Sequence, residues 1–179
     1  GFWDFGCGAL GDMACHNLDP IYWAMEPGYP TEIELMKGDA FGDAPMYVKN
    51  TTVRFHFPAK GDRPAFELYW HDGGNKPARP EELPKGENLP DQGGLYIGTK
   101  GKLYAKGDSR NFPKLLPEAT NEEYGRPEQQ IERSAEGHHK EWYLACTGEK
   151  SYDFPKCNFS YAAPFTETIL LGCIAQRVG

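Results

Sequence analysis

Between Gly6 and Met25 the chain reads G-C-G-A-L-G-D-M-A-C-H-N-L-D-P-I-Y-W-A-M, which spaces Asp12, His16 and Asp19 at intervals of four and three residues. On a helix those intervals stack the three side chains along one stripe, with Asp12 and His16 near enough to share a hydrogen bond. A carboxylate that orients or charges an imidazole is an arrangement for moving protons near neutral pH, where imidazole changes charge. Leu10, Met13, Ala14, Leu18, Ile21 and Ala24 fall on the opposite stripe, as a helix lying on a core requires. Trp23 falls on the polar stripe beside His16 and Asp19.

The same stretch opens with a literal G-x-G-x-x-G, Gly6 to Gly11. A dinucleotide fingerprint needs a buried strand before it, yet only Gly1 to Phe5 precede it, with Asp4 in the middle. The next strand candidate, Thr31 to Met36, alternates polar and apolar residues, unlike the continuous apolar run of a sheet covered on both faces. The glycines therefore read as a tight turn into a helix, and no cofactor-binding residue is assigned to this chain. Pro20 cannot donate its N–H, so it either kinks the helix or opens a second one with Asp19 as its N-cap.

The 179 residues are expected to form one domain, with 39% hydrophobic and 25% charged residues as in ordinary globular chains. A net charge of −7 without a Lys/Arg cluster argues against nucleic acid or an anionic membrane surface as partner. No apolar run approaches the ~20 residues of a membrane span. No signal peptide is visible, but the abrupt start at Gly1-Phe2-Trp3 reads as that of a trimmed chain, so the expected compartment is the cytoplasm, or the periplasm if a leader was trimmed. Five cysteines without C-x-x-C spacing (Cys7, Cys15, Cys146, Cys157, Cys173) fit reduced, mostly buried thiols. His138 and His139 are adjacent and should point apart on a helix, and a metal needs three or four converging ligands, so no metal site is expected. His56 and His71 fall on strand candidates and read as surface or sheet-edge residues.

Beyond the Pro27-Gly28-Tyr29-Pro30 stop, alternation marks strands at 31–37, 50–57 and 65–71, with Pro58 to Asp62 as a hairpin turn. A second hairpin is expected from 94–98 and 102–105. Two long loops are expected, Asp72 to Gly93 and Asp108 to Arg126. A helix follows Gly137, and a terminal helix runs from Ala162 to Val178 with Pro164 in its first turn. The resulting fold class is α+β: an open, mainly antiparallel sheet of about six strands with helices packed on one face.

Gly8 to Asp19 resembles the G-x-L-x-D-x-G-x-H-x-x-D signature of the glucose–fructose oxidoreductase, inositol dehydrogenase and MocA (Gfo/Idh/MocA) family. Ala14 stands where that family usually has Gly, and Pro20 directly follows Asp19. The hairpin segment I-G-T-K-G-K-L, the H-H-x-E-W helix and the A-A-P-x-T-E-x-I-L-L-G helix are similar to later parts of the same family's domain. The resemblance implies a substrate-binding and oligomerisation domain spanning 1–179, with the N-terminal Rossmann domain, its NAD or NADP and a catalytic lysine lying outside this chain. It implies that His16 takes the proton of a sugar or cyclic-polyol hydroxyl, that Asp12 orients it or accepts a substrate hydrogen bond, and that Asp19 contacts substrate. Trp3 and His139 are expected to line the carbohydrate pocket, and the open sheet face to join copies into a homo-oligomer. An NAD-assisted glycosidase or lyase on the same scaffold, or a non-catalytic binding or oligomerisation module, are the alternatives.

Overall fold

A computed structural model describes residues 1–47, 49–107 and 112–179. Its first layer grows from β2 (Thr52–Phe57), whose alternate residues Val53, Phe55 and Phe57 are at most 1% exposed. Each such side chain stabilises the fold by roughly 1.5–3 kcal/mol relative to leaving it in water. Strands β1 (Glu32–Lys37) and β3 (Phe66–His71) flank β2 antiparallel, adding Ile33, Leu35, Phe66, Leu68 and Trp70 to the same face. That face is covered by α1 (Gly8–Asn17), α2 (Asp19–Met25) and the 20-residue α5 (Phe159–Val178), through Leu10, Ala14, Tyr22, Phe165, Ile169 and Cys173.

The outward face has the complementary pattern. Arg54 stands in its middle with Glu34 at 2.8 Å, Glu32 at 3.3 Å and Glu67 at 3.8 Å, and His56 Nδ1 lies 2.6 Å from Glu67. His56 is therefore on the central strand, while His71 is on an edge strand, as the order β1-β2-β3 dictates.

The chain is α+β, but its strands divide into two three-stranded antiparallel sheets instead of one sheet of about six. The second sheet is β4 (Gly93–Gly98), β5 (Gly101–Lys106) and β6 (Lys114–Leu116). Alternation signals where strands lie; which edges pair is set by the connections, and the segment after β3 turns away. Asp72 bonds back to Thr51 through its own N–H and through both the Thr51 N–H and hydroxyl, and residues 72–92 then form a pinned loop. Arg79 donates to the carbonyls of Pro80, Leu83, Pro84 and Glu87, and Lys76 to the Leu89 carbonyl and the Asp91 carboxylate, so two cations tie this long loop together. Leu83 and Leu89 of the loop bury themselves with Tyr104 and Leu116 in a second small core.

Of the second expected loop, residues 108–111 lie outside the described residues. The rest is not irregular: it holds β6 and a short helix, α3 (Glu118–Tyr124). Helix α4 (His138–Cys146) forms where expected, and its one buried residue is Glu141, which accepts from the Lys156 N–H. Helix α5 begins three residues earlier than Ala162, because the Asn158 side chain caps it by accepting from the Ser160 N–H at 3.0 Å. Pro164 consequently sits inside the helix rather than in its first turn. No described helix is long and apolar enough to cross a membrane.

Candidate functional site

Helix α1 starts at Gly8, whose φ of +65° is a left-handed conformation that favours glycine. A short 3₁₀ turn, Trp3–Phe5, precedes it in place of a strand. At Gly11 an added Cβ would stand 2.1 Å from the Cys7 Cβ, so the space at this glycine is taken by the chain's own side chain. The Gly6–Gly11 run thus has neither the preceding strand nor the open backbone that a pyrophosphate cradle needs.

Leu10 and Ala14 of α1 are fully buried, which turns Asp12, Cys15 and His16 outward, all three exposed. Asp12 and His16 therefore share the solvent face, as their spacing implies, although no hydrogen bond or ion pair joins them among the described residues. The helix ends at Leu18, whose N–H closes onto Ala14 O, and Asp19 and Pro20 open α2. Asp19 is the first residue of α2 and makes no cap; the N-cap position is Leu18. The break also rotates the buried stripe, so that Tyr22 is buried and Ala24 exposed.

Asp19 is instead held from across the fold. The Tyr161 hydroxyl donates to Asp19 Oδ1 at 2.6 Å, and it lies 3.4 Å from the Asp19 carbonyl. Burial, reinforced by this carboxylate, pushes the Tyr161 hydroxyl well above the ordinary tyrosine range, so it remains a donor. Trp23, one turn beyond Asp19 on α2, is 47% exposed. Cys15 lies in the field of both acids: burial first, then the charges of Asp12 and Asp19, push its thiol up. It is consequently a poor nucleophile in the middle of the row.

Trp3 and His139 stand apart from this row in bonding. The Trp3 ring packs at 5.4 Å from Phe41 and 5.3 Å from Tyr47, with the Arg177 guanidinium 4.4 Å over it. His139 is exposed on α4, its ring 4.0 Å from that of His138, so the two neighbours meet instead of pointing apart. They occupy the first two positions of α4, before the helix has completed a turn. No hydrogen bond, ion pair or ring contact joins either Trp3 or His139 to Asp12, His16 or Asp19 among the described residues. Nor do three His, Cys, Asp or Glu side chains converge as a metal site among them.

The cysteines are reduced, but four of the five are exposed and only Cys173 is buried, a correction to the expectation of mostly buried thiols. Two hollows, about 290 and 520 Å3, run along α5, the first against Pro30 to Ile33 and the second beside Phe159, Leu170 and Ile174. Neither is lined by Asp12, His16 or Asp19; in the row itself Asp12 and His16 are exposed and Asp19 is half-buried. The residue that sequence reasoning missed is Tyr161: its partner lies 142 positions away, a separation that leaves no local spacing to read. The chain matches neither a protein-family model nor a curated protein.

Proposed function

We propose that this chain is the substrate-binding and proton-accepting half of an NAD(P)-dependent oxidoreductase acting on a sugar or cyclic polyol. The observation that supports it is the shared solvent face of Asp12 and His16 on α1, continued past the bend by an Asp19 carboxylate already held in place. In this reading neutral His16 accepts a proton from a substrate hydroxyl as the carbon bearing it is oxidised. Asp12, one helical turn away, stabilises the imidazolium so formed. Asp19 accepts a hydrogen bond from a neighbouring hydroxyl and fixes the ring's register, while the exposed Trp23 offers an apolar face to it. The nicotinamide supplies the hydride acceptor when bound, on a nucleotide-binding domain separate from these residues.

The open row needs a second wall to exclude water, which is why the reading assigns the cofactor domain to the face in front of α1. Self-association is placed on the outward face of the first sheet, around Arg54, where Met36 and Tyr69 are each about half exposed. The test is His16→Ala in the protein that carries both halves. Nicotinamide reduction driven by polyols should fall by about two to four orders of magnitude, the usual worth of a general base. An unchanged rate would make the chain a binding or oligomerisation module, and a product lacking net oxidation would make it a transiently oxidising glycosidase or lyase.

A further inference from the structure

The bend at Leu18 leaves Asp19 at the start of α2 with no capping duty, half-buried, and with its carboxylate engaged by a residue of α5. Tyr161 is itself fixed. It lies in the first turn of α5 just after the Asn158 cap, and its ring meets Tyr22 edge-on and Phe165 at a tilt, both at 6.1 Å. The hydroxyl therefore has a defined position, and the bond it makes to Oδ1 selects one orientation of the Asp19 carboxylate.

We propose that Tyr161 is a positioning residue that holds Asp19 with Oδ2 presented to a hydroxyl of the carbohydrate ligand. The inference rests on the reading of Asp12, His16 and Asp19 as a polyol site, and adds to it the group that preorganises the acceptor. An unheld aspartate must give up rotamer freedom on binding, whereas a carboxylate already oriented does not. The strengthened hold of Tyr161 on its proton fits a donor that stays paired at neutral pH. Because the same bond also ties α5 to α2, a purely structural role has to be separated from a positioning one.

The experiment is a double-mutant cycle of Tyr161→Phe and Asp19→Asn in the full-length holoenzyme, with myo-inositol and glucose as probes and NAD+ or NADP+ as acceptor. Tyr161→Phe is expected to raise KM about five- to tenfold with kcat within about twofold, as for loss of a hydrogen bond that only orients a ligand group. In the Asp19→Asn background it should have no further effect on KM. Equal KM shifts in both backgrounds, or none in either, would overturn the positioning role while leaving the function standing if His16→Ala still abolishes turnover. Absence of turnover with these probes, or indifference to His16→Ala, would instead bring down the reading on which the inference rests. Isotope-labelled tyrosine NMR on this chain decides the pairing independently of activity. One resonance, absent in Tyr161→Phe, should ionise later than the others and move down in Asp19→Asn while burial keeps it above the ordinary range; no such resonance, or one that Asp19→Asn leaves in place, overturns the inference.

Discussion

Gly172 of α5 lies so close to Phe55 of β2 that an added Cβ would stand 2.5 Å from the Phe55 Cζ and 2.7 Å from Leu10 Cδ2. Helix, strand and second helix meet at this hydrogen atom. Alanine is the better helix former by about 1 kcal/mol, yet Phe55 and Leu10 are fully packed and cannot withdraw. Gly172→Ala is therefore expected to lower stability by about 1–3 kcal/mol, the usual cost of overpacking, as a drop in the denaturant midpoint. A raised midpoint would mean that the α1–β2–α5 contact is looser than described.

His71 provides a pH dependence with a definite sign. Its Nδ1 lies 3.1 Å from the Thr52 hydroxyl, and burial holds its pKa below the ordinary 6.5; the Asp72 carboxylate opposes this and the Lys37 charge adds to it. Between the lowered folded pKa and the unfolded value, the unfolded chain binds more protons, so stability rises with pH. The contribution is complete above the unfolded value of about 6.5 and is lost as pH falls through the folded one. His71→Gln should flatten the stability profile below about pH 6.5, measured by urea unfolding from about pH 5 to 7.5. An unaltered slope would show that the imidazole does not titrate with folding.

Thiol labelling separates the cysteines. In the native chain Cys7, Cys15, Cys146 and Cys157 are open to an aromatic disulfide reagent, and Cys173, its thiol pushed up to about 12 chiefly by burial, is not. Four equivalents should react before unfolding and a fifth only with it. Among the four, Cys15 should be slowed by its own partial burial and by Asp12 and Asp19. Neutralising both acids (Asp12→Asn with Asp19→Asn) should speed it.

Much of the fold was legible because half-buried antiparallel strands carry their own period: β1, β2 and β3 lie within a residue or two of the alternating runs, while β4 and β5 were legible as a hairpin through the turn between them. Three-residue β6 is too short to show a period, and the split into two sheets depends on Asp72 turning the chain back onto Thr51, a non-local event. The α1 stripe was readable through Leu10 and Ala14. Beyond Leu18 it failed, because the proline break rotates α2 and buries Tyr22 in place of Ala24. In the candidate site, the common outward face of Asp12 and His16 follows from four-residue spacing alone. The hold on Asp19 does not, since Tyr161 comes from the opposite end of the chain.

The stacking of Arg177 on Trp3 has a consequence for how the two terminal segments are held. Gly1 O accepts from the Tyr47 N–H while Gly42 N–H reaches Arg177 O, so the first and last turns are stitched to one surface strip. Removing the Arg177 guanidinium or the Trp3 ring should therefore loosen both segments together, since each is held to the 41–47 stretch through the other.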